Sequence, residues 1–207
     1  MTARRLRPFG TTIFTEYSAL ALRTGALNLG QGFPDSDGPE EIMEAVSTAM
    51  RSGFNQYAPL AGVPELRAAI ADHQRRRYGI ELHPDDGIQV TFGATEAIAA
   101  TMLGLLEPGD GVVVFEPYYD SYAPAIALAG GERRLVTLRA PDFAIDLDAL
   151  AAAARGARML LLNSPHNPTG RVLTPDELRA IAAICVEHDL VAVTDEVYEH
   201  LVFDGEH

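Results

Sequence analysis

The chain has 207 residues, 47% of them hydrophobic and 22% charged, and carries a formal charge of -13. This length supports one sizeable domain, or a domain and part of a second, with a well-buried core, and the composition is that of a folded globular protein rather than a disordered one. The acidic balance argues against a nucleic-acid partner, which needs clustered basic residues.

Arg4 and Arg5 are not followed by an apolar core before Glu16 and Arg23, so they do not make an export leader. The first 86 residues predict helices near 12–24, 39–51 and 64–78 and no convincing strand, the pattern of an arm and a connecting layer. Pro39 and Pro64 start two of these helices, and Gly53 and Gly79 stop them. The triplet Arg75 to Arg77 falls inside the third helix and reads as a solvated face. LGQG at 29–32 begins like a dinucleotide fingerprint, but Asp35 stands where its third glycine belongs.

From about residue 87 strands and helices alternate, with short Gly, Pro and Asp punctuation. Strands are expected at 88–92, 111–115, 133–138, 157–163 and 190–194, and helices near 95–106, 120–129, 147–154 and 174–188. The last helix is the best marked, with Thr174 as N-cap, Pro175 at its first position and Glu177 completing a capping box. Such alternation predicts an α/β fold, a parallel sheet covered by helices.

The longest apolar stretch, 97–106, falls short of the roughly 20 residues that a membrane span needs, so no membrane partner is expected. Cys185, the single cysteine, reads as a buried small hydrophobe, which fits a reducing, cytoplasmic setting. His73 and His188 fall on helices, His83 in a loop, and His200 and His207 near the end. That spacing repeats no metal-ligand pattern, and no metal is expected.

Ligands of open parallel sheets bind beyond the carboxyl ends of the strands, so the loops there carry the candidate chemistry. GATEA at 93–97 leads into a helix whose amides, with the Thr95 hydroxyl, suit either an anion or an ordinary N-terminal cap. EPYYDSY at 116–122 offers Tyr118, Tyr119 and Tyr122 as core aromatics or as a platform for a flat ring. NSPHNPTGR at 163–171 holds Asn167 between prolines ahead of Gly170, where an amide can be aimed at one ligand oxygen or simply belong to a turn. TDEVY at 194–198 puts Asp195 at a strand end, with Tyr198 three residues on; a lone Asp there reads first as a turn cap.

Taken together and in this order, these groups resemble the fold-type I pyridoxal phosphate enzymes, and specifically the class I/II aminotransferases. HNPTG at 166–170 is the most specific match; NQYAPLAG at 55–62 and LGQGFPD at 29–35 extend the similarity over nearly the whole chain. FGTTIFTEYSALA, LNLGQGFPD and TDEVYEHLVFD look most like the kynurenine, methionine and N-succinyldiaminopimelate aminotransferase branch. The resemblance implies a three-layer αβα large domain over 39–207, incomplete at its C-terminal end, and an arm with the start of a small-domain region over 1–38. It implies that Asp195 pairs with the protonated pyridine nitrogen of pyridoxal 5'-phosphate and raises its pKa, so that the ring is a better electron sink. Tyr198 and Asn167 are implied to bond the ring hydroxyl oxygen, Tyr119 to stack on the ring, and Gly93, Ala94 and Thr95 to bind the phosphate. Tyr57 is implied to reach the phosphate of a neighbouring subunit, making a homodimer with shared sites. Gly32 is implied to let the backbone approach the substrate carboxylate.

One departure stands out. All sixteen residues counted as Lys plus Arg are arginines. The family attaches its cofactor to a lysine that then moves the proton, and arginine is no substitute because it stays protonated and is a poor nucleophile. The expectation is therefore an N-terminal portion of an enzyme acting on an amino acid and a 2-oxo acid, inactive alone. It would stop short of that lysine and of two strands lying between the first and fifth strands of the sheet. A carbon-sulfur lyase on the same scaffold is the catalytic alternative, and a noncatalytic or split-gene half that needs a complementary C-terminal chain is the other.

Overall fold

The computed structural model describes residues 2–32, 34 and 36–204; Asp35 and His207, weighed above, lie outside the described residues. The chain divides into two units, one of residues 11–91 and one of residues 1–10 with 92–207.

The 11–91 unit contains three helices, α1 (Ile13–Thr24), α2 (Glu40–Arg51) and α3 (Pro64–Tyr78), within a residue of their predicted limits. Thr12 caps α1 by accepting the Thr15 amide at 3.3 Å, and Gly79 ends α3 with φ +68°, a left-handed conformation that glycine adopts without penalty. Arg67 is buried on α3, donating to the carbonyls of Gly62 (3.2 Å) and Pro84 (2.8 Å) and facing Asp85 at 3.3 Å. Arg75 to Arg77 are exposed, and Arg75 and Arg76 pair with Asp72 on the same helix, as a solvated face should. The expected strand at 88–92 is not a strand. The Val90 amide donates to the Ala61 carbonyl at 3.1 Å instead of to a neighbouring strand. A strand exists through its ladder, and among the described residues no neighbouring strand is there to pair with it.

The other unit is built on four parallel strands, β1 (Gly111–Glu116), β2 (Glu132–Thr137), β3 (Met159–Asn163) and β4 (Val191–Asp195), in the order β2-β1-β3-β4. Helices α4 (Gly93–Leu105), α5 (Tyr122–Ala129), α6 (Leu147–Ala154) and α7 (Pro175–Glu187) connect or precede them. Successive side chains of a strand point to opposite faces, so a strand covered on both sides is apolar throughout. Val113, Phe115, Leu160 and Leu162 accordingly pack with Leu150 and Ala154 of α6 and Ile181 and Cys185 of α7. Their neighbours Val112, Val114, Met159 and Leu161 pack on the other face with Ile98 and Met102 of α4 and Ile126 of α5. This is the three-layer αβα arrangement expected. Each fully buried aliphatic side chain contributes roughly 1.5 to 3 kcal/mol of burial free energy. The central strands β1 and β3 are buried almost throughout, whereas β2 and β4 alternate between buried and exposed positions as sheet margins do.

The start of α7 matches its sequence signature in detail. The Thr174 hydroxyl accepts the Glu177 amide at 3.3 Å while the Glu177 carboxylate accepts the Thr174 amide at 2.9 Å. Cys185 is buried, and burial pushes its thiol above the usual range.

Candidate functional site

Four segments meet at the carboxyl ends of the strands and enclose a cleft of about 220 Å³. The first turn of α4 contributes Gly93, Ala94 and Thr95, with Ile98 behind them, and the segment after β1 contributes Tyr119 and Tyr122. The end of β3 contributes Asn163 and Asn167, and the end of β4 contributes Asp195, Val197 and Tyr198. Eight residues singled out from the sequence therefore line one cavity: Gly93, Ala94, Thr95, Tyr119, Tyr122, Asn167, Asp195 and Tyr198. Gly32 and Tyr57 belong to the 11–91 unit; Tyr57 is fully exposed, and a Cβ added at Gly32 meets nothing within 4 Å.

Asp195 is the one acid among the described lining residues, and it is buried. Its carboxylate is held at both oxygens. Oδ2 accepts the Tyr122 hydroxyl at 2.6 Å, and Oδ1 accepts the Val197 amide at 3.2 Å. Burial, reinforced by the Asp195 carboxylate, pushes the Tyr122 phenol far above its ordinary value, so it remains a protonated donor.

Asn167 sits in a turn that closes on itself. The His166 amide donates to the Arg171 carbonyl at 2.8 Å, and the Gly170 amide donates back to the His166 carbonyl at 2.7 Å. Gly170 has φ +73°, which explains the glycine. The Ser164–Pro165 and Asn167–Pro168 peptide bonds are cis. Behind the turn, Arg171 donates to the Phe143 carbonyl at 3.0 Å and pairs with Glu177, tying the loop to the start of α7. His166 is buried with its Nδ1 2.7 Å from the Thr169 hydroxyl, and burial, then the Arg171 charge, lowers its pKa below the usual histidine value. The Asn167 amide nitrogen reaches the Tyr198 hydroxyl oxygen at 3.3 Å, so these two polar tips stand side by side.

Two residues of the cleft carry more of its geometry than their sequence setting indicated. The Asn163 side chain donates to the Asp195 carbonyl at 2.8 Å and accepts the Asn167 amide at 2.7 Å, joining the ends of β3 and β4. Tyr122, one of three tyrosines in the segment after β1, has its ring packed beside Tyr118 and edge-on to Tyr119. The available signal was positional: Asn163 is the last residue of β3, and Tyr122 is the first residue of α5, three after Tyr119.

Chemically, the cleft combines a carboxylate able to accept from a protonated ring nitrogen, an aromatic wall, and an amide-phenol pair able to hold one ligand oxygen. At its far side is a helix start whose N-cap residue, Phe92, supplies no side-chain cap. A flat, cationic heterocycle bearing an oxygen and an anionic arm matches that donor set.

A parallel αβα unit with this rim defines a pyridoxal-phosphate-type transferase fold. The family model for aminotransferase class I and II matches residues 24–207, and the chain belongs to that family. It is 56% identical over 208 residues to a probable N-succinyldiaminopimelate aminotransferase of Mycobacterium tuberculosis, covering 99% of this chain and 52% of that protein. It is 45% identical over 200 residues to the methionine aminotransferase of Escherichia coli, covering 96% of this chain and 52% of that protein. Among solved structures, the N-succinyldiaminopimelate aminotransferase from Mycobacterium tuberculosis superposes with a TM-score of 0.96 at 54% identity, over 100% of this chain and 55% of that one. The aspartate aminotransferase from Thermus thermophilus superposes with a TM-score of 0.91 at 38% identity, over 100% and 56%. The chain thus spans about half the length of the relatives it matches.

Proposed function

We propose that this chain supplies the cofactor cleft of a pyridoxal 5'-phosphate dependent aminotransferase, which moves an amino group from an amino acid to a 2-oxo acid. The observation that carries the reading is the buried Asp195 carboxylate, fixed at both oxygens in a cleft that also holds the paired polar tips of Asn167 and Tyr198. When bound there, the cofactor supplies a conjugated ring that withdraws electrons from the α-carbon of an attached amino acid. Asp195 would accept from the ring nitrogen and hold it protonated. Asn167 and Tyr198 would donate to the ring oxygen, Tyr119 would cover one face of the ring, and the α4 amides at Gly93, Ala94 and Thr95 would hold the phosphate. Because the chain contains no lysine, the amine that binds the cofactor covalently and moves the substrate proton must come from residues other than these 207.

The further parts of the reading rest on the family resemblance. They are an amino-acid metabolic role in the cytoplasm, a large domain beginning near residue 39 after an arm, and a homodimer. In that dimer Tyr57 would reach the neighbouring subunit's phosphate, and Gly32 and Asn167 would lie against the substrate. A complementary C-terminal chain is the form in which a split protein would acquire the lysine.

The test is turnover in the intact protein. Asp195→Ala is expected to remove nearly all transamination while leaving the fold in place, and near-normal turnover in that variant would refute the assignment. Release of pyruvate and ammonia from a cysteine conjugate, with no transfer to an oxo acid, would point to a lyase instead.

A further inference from the structure

Asp195 does not hold its own orientation. An aspartate side chain rotates about two bonds, and the Val197 amide at 3.2 Å restrains only Oδ1. The second restraint comes from 73 residues away, where the Tyr122 hydroxyl donates to Oδ2 at 2.6 Å in a buried setting. A hydrogen bond to an ionised oxygen is about twice as strong as a neutral one, and at 2.6 Å this one has the length usual for an O–H···O⁻ bond.

The Tyr122 ring is itself immobilised. It is almost fully buried at the start of α5, packs near-parallel to Tyr118 with centroids 6.4 Å apart and 19° between planes, and meets Tyr119 edge-on at 6.0 Å and 76°. A phenol so wedged can aim its hydroxyl along one direction only. The plane of the carboxylate is therefore set by two restraints together, the Val197 amide at Oδ1 and, at Oδ2, a phenol held by the aromatic packing at the start of α5.

We propose that Tyr122 is a positioning residue: through its hydrogen bond to Oδ2 it fixes the plane of the Asp195 carboxylate and so sets how strongly the cleft prefers a ligand with a protonated ring nitrogen. The inference rests on the pyridoxal phosphate reading above and adds to it the residue that orients the carboxylate. Tyr122 acts at the nitrogen alone. Its hydroxyl bonds Oδ2 of Asp195, while Asn167 and Tyr198 pair with each other, and Tyr122→Phe keeps the ring that packs against Tyr118 and Tyr119.

That selectivity makes the test specific. Dissociation constants of pyridoxal 5'-phosphate and of its 1-deaza analogue, which has carbon in place of the ring nitrogen, are measured on the intact protein and on Tyr122→Phe, Asp195→Ala and the double variant. The ratio of the two constants cancels contacts that both ligands make. The wild type is expected to prefer the nitrogen-bearing ligand. Tyr122→Phe should cut that preference about ten-fold with the affinity for the deaza analogue unchanged, and it should add nothing once Asp195 is alanine. An unchanged preference overturns the proposal, and so does an equal loss for both ligands, which would mark a structural role. A phenylalanine variant too unstable to assay also overturns it, because the hydroxyl would then serve folding. A wild type with no preference between the ligands refutes the cofactor reading itself, and the inference falls with it; the wild-type measurement separates the two failures.

Discussion

Replacing Asn163 by alanine tests the link that holds the two polar segments of the cleft together. Asn163 is 4% exposed, and its side chain donates to the Asp195 carbonyl at 2.8 Å and accepts the Asn167 amide at 2.7 Å. Truncation leaves the Asn167 N–H without this acceptor; because the bond is part-buried, its cost lies near the lower end of the roughly 1 to 3 kcal/mol for a fully buried group. The Asp195 carbonyl keeps the Ser164 amide at 3.3 Å, so its loss is the smaller one, about 0.5 to 1.5 kcal/mol. Together these come to about 1.5 to 2.5 kcal/mol, read as a lower urea midpoint with an unchanged slope, along with faster hydrogen exchange at the Asn167 amide. A change below about 1 kcal/mol, or unaltered exchange at Asn167, would show that the turn is held by its own closure and not by β3.

Three further outcomes follow from the same contacts. His166 has a folded pKa below its ordinary value, so its contribution is fully present above the unfolded value of about 6.5 and is lost as pH falls through the lower folded value. Below pH 6.5 stability should decline by at most about 1.4 kcal/mol per pH unit from this group, and in His166→Asn urea titrations that part of the slope should disappear. Thr174→Ala breaks the capping box and should cost about 1 kcal/mol; a loss under about 0.3 kcal/mol would mean that the Glu177 pairing with Arg171 holds the helix start alone. Arg134→Ala removes donation to the carbonyls of Ala153, Arg155 and Gly156 at the end of α6, and amide exchange should accelerate in that last turn while remaining unchanged in α7.

What the sequence disclosed was what neighbouring residues decide. The capping box at Thr174, the left-handed end of α3 at Gly79 and the apolar runs of β1 and β3 are local consequences of side-chain type, and they appear within a residue or two of their expected places. Asp195 and Asn167 were legible because strand ends in a parallel sheet point to one rim. Residues 88–92 have strand-like chemistry, yet pairing is a property of two segments, and among the described residues the second is missing. The Asn163 link escaped, and so did the bond made by Tyr122, which had been named only as one of three candidate aromatics, for a related reason. Their partners in Asp195 lie 32 and 73 residues away, and no local pattern records a hydrogen bond that only the sheet order brings about.

The most direct measurement of the whole account is a crystal structure of the intact protein with pyridoxal 5'-phosphate bound. The ring nitrogen is expected within about 3 Å of the Asp195 carboxylate, the ring oxygen at Asn167 and Tyr198, and the phosphate against the first turn of α4. A cofactor seated elsewhere, or turned so that its nitrogen faces away from Asp195, would contradict it.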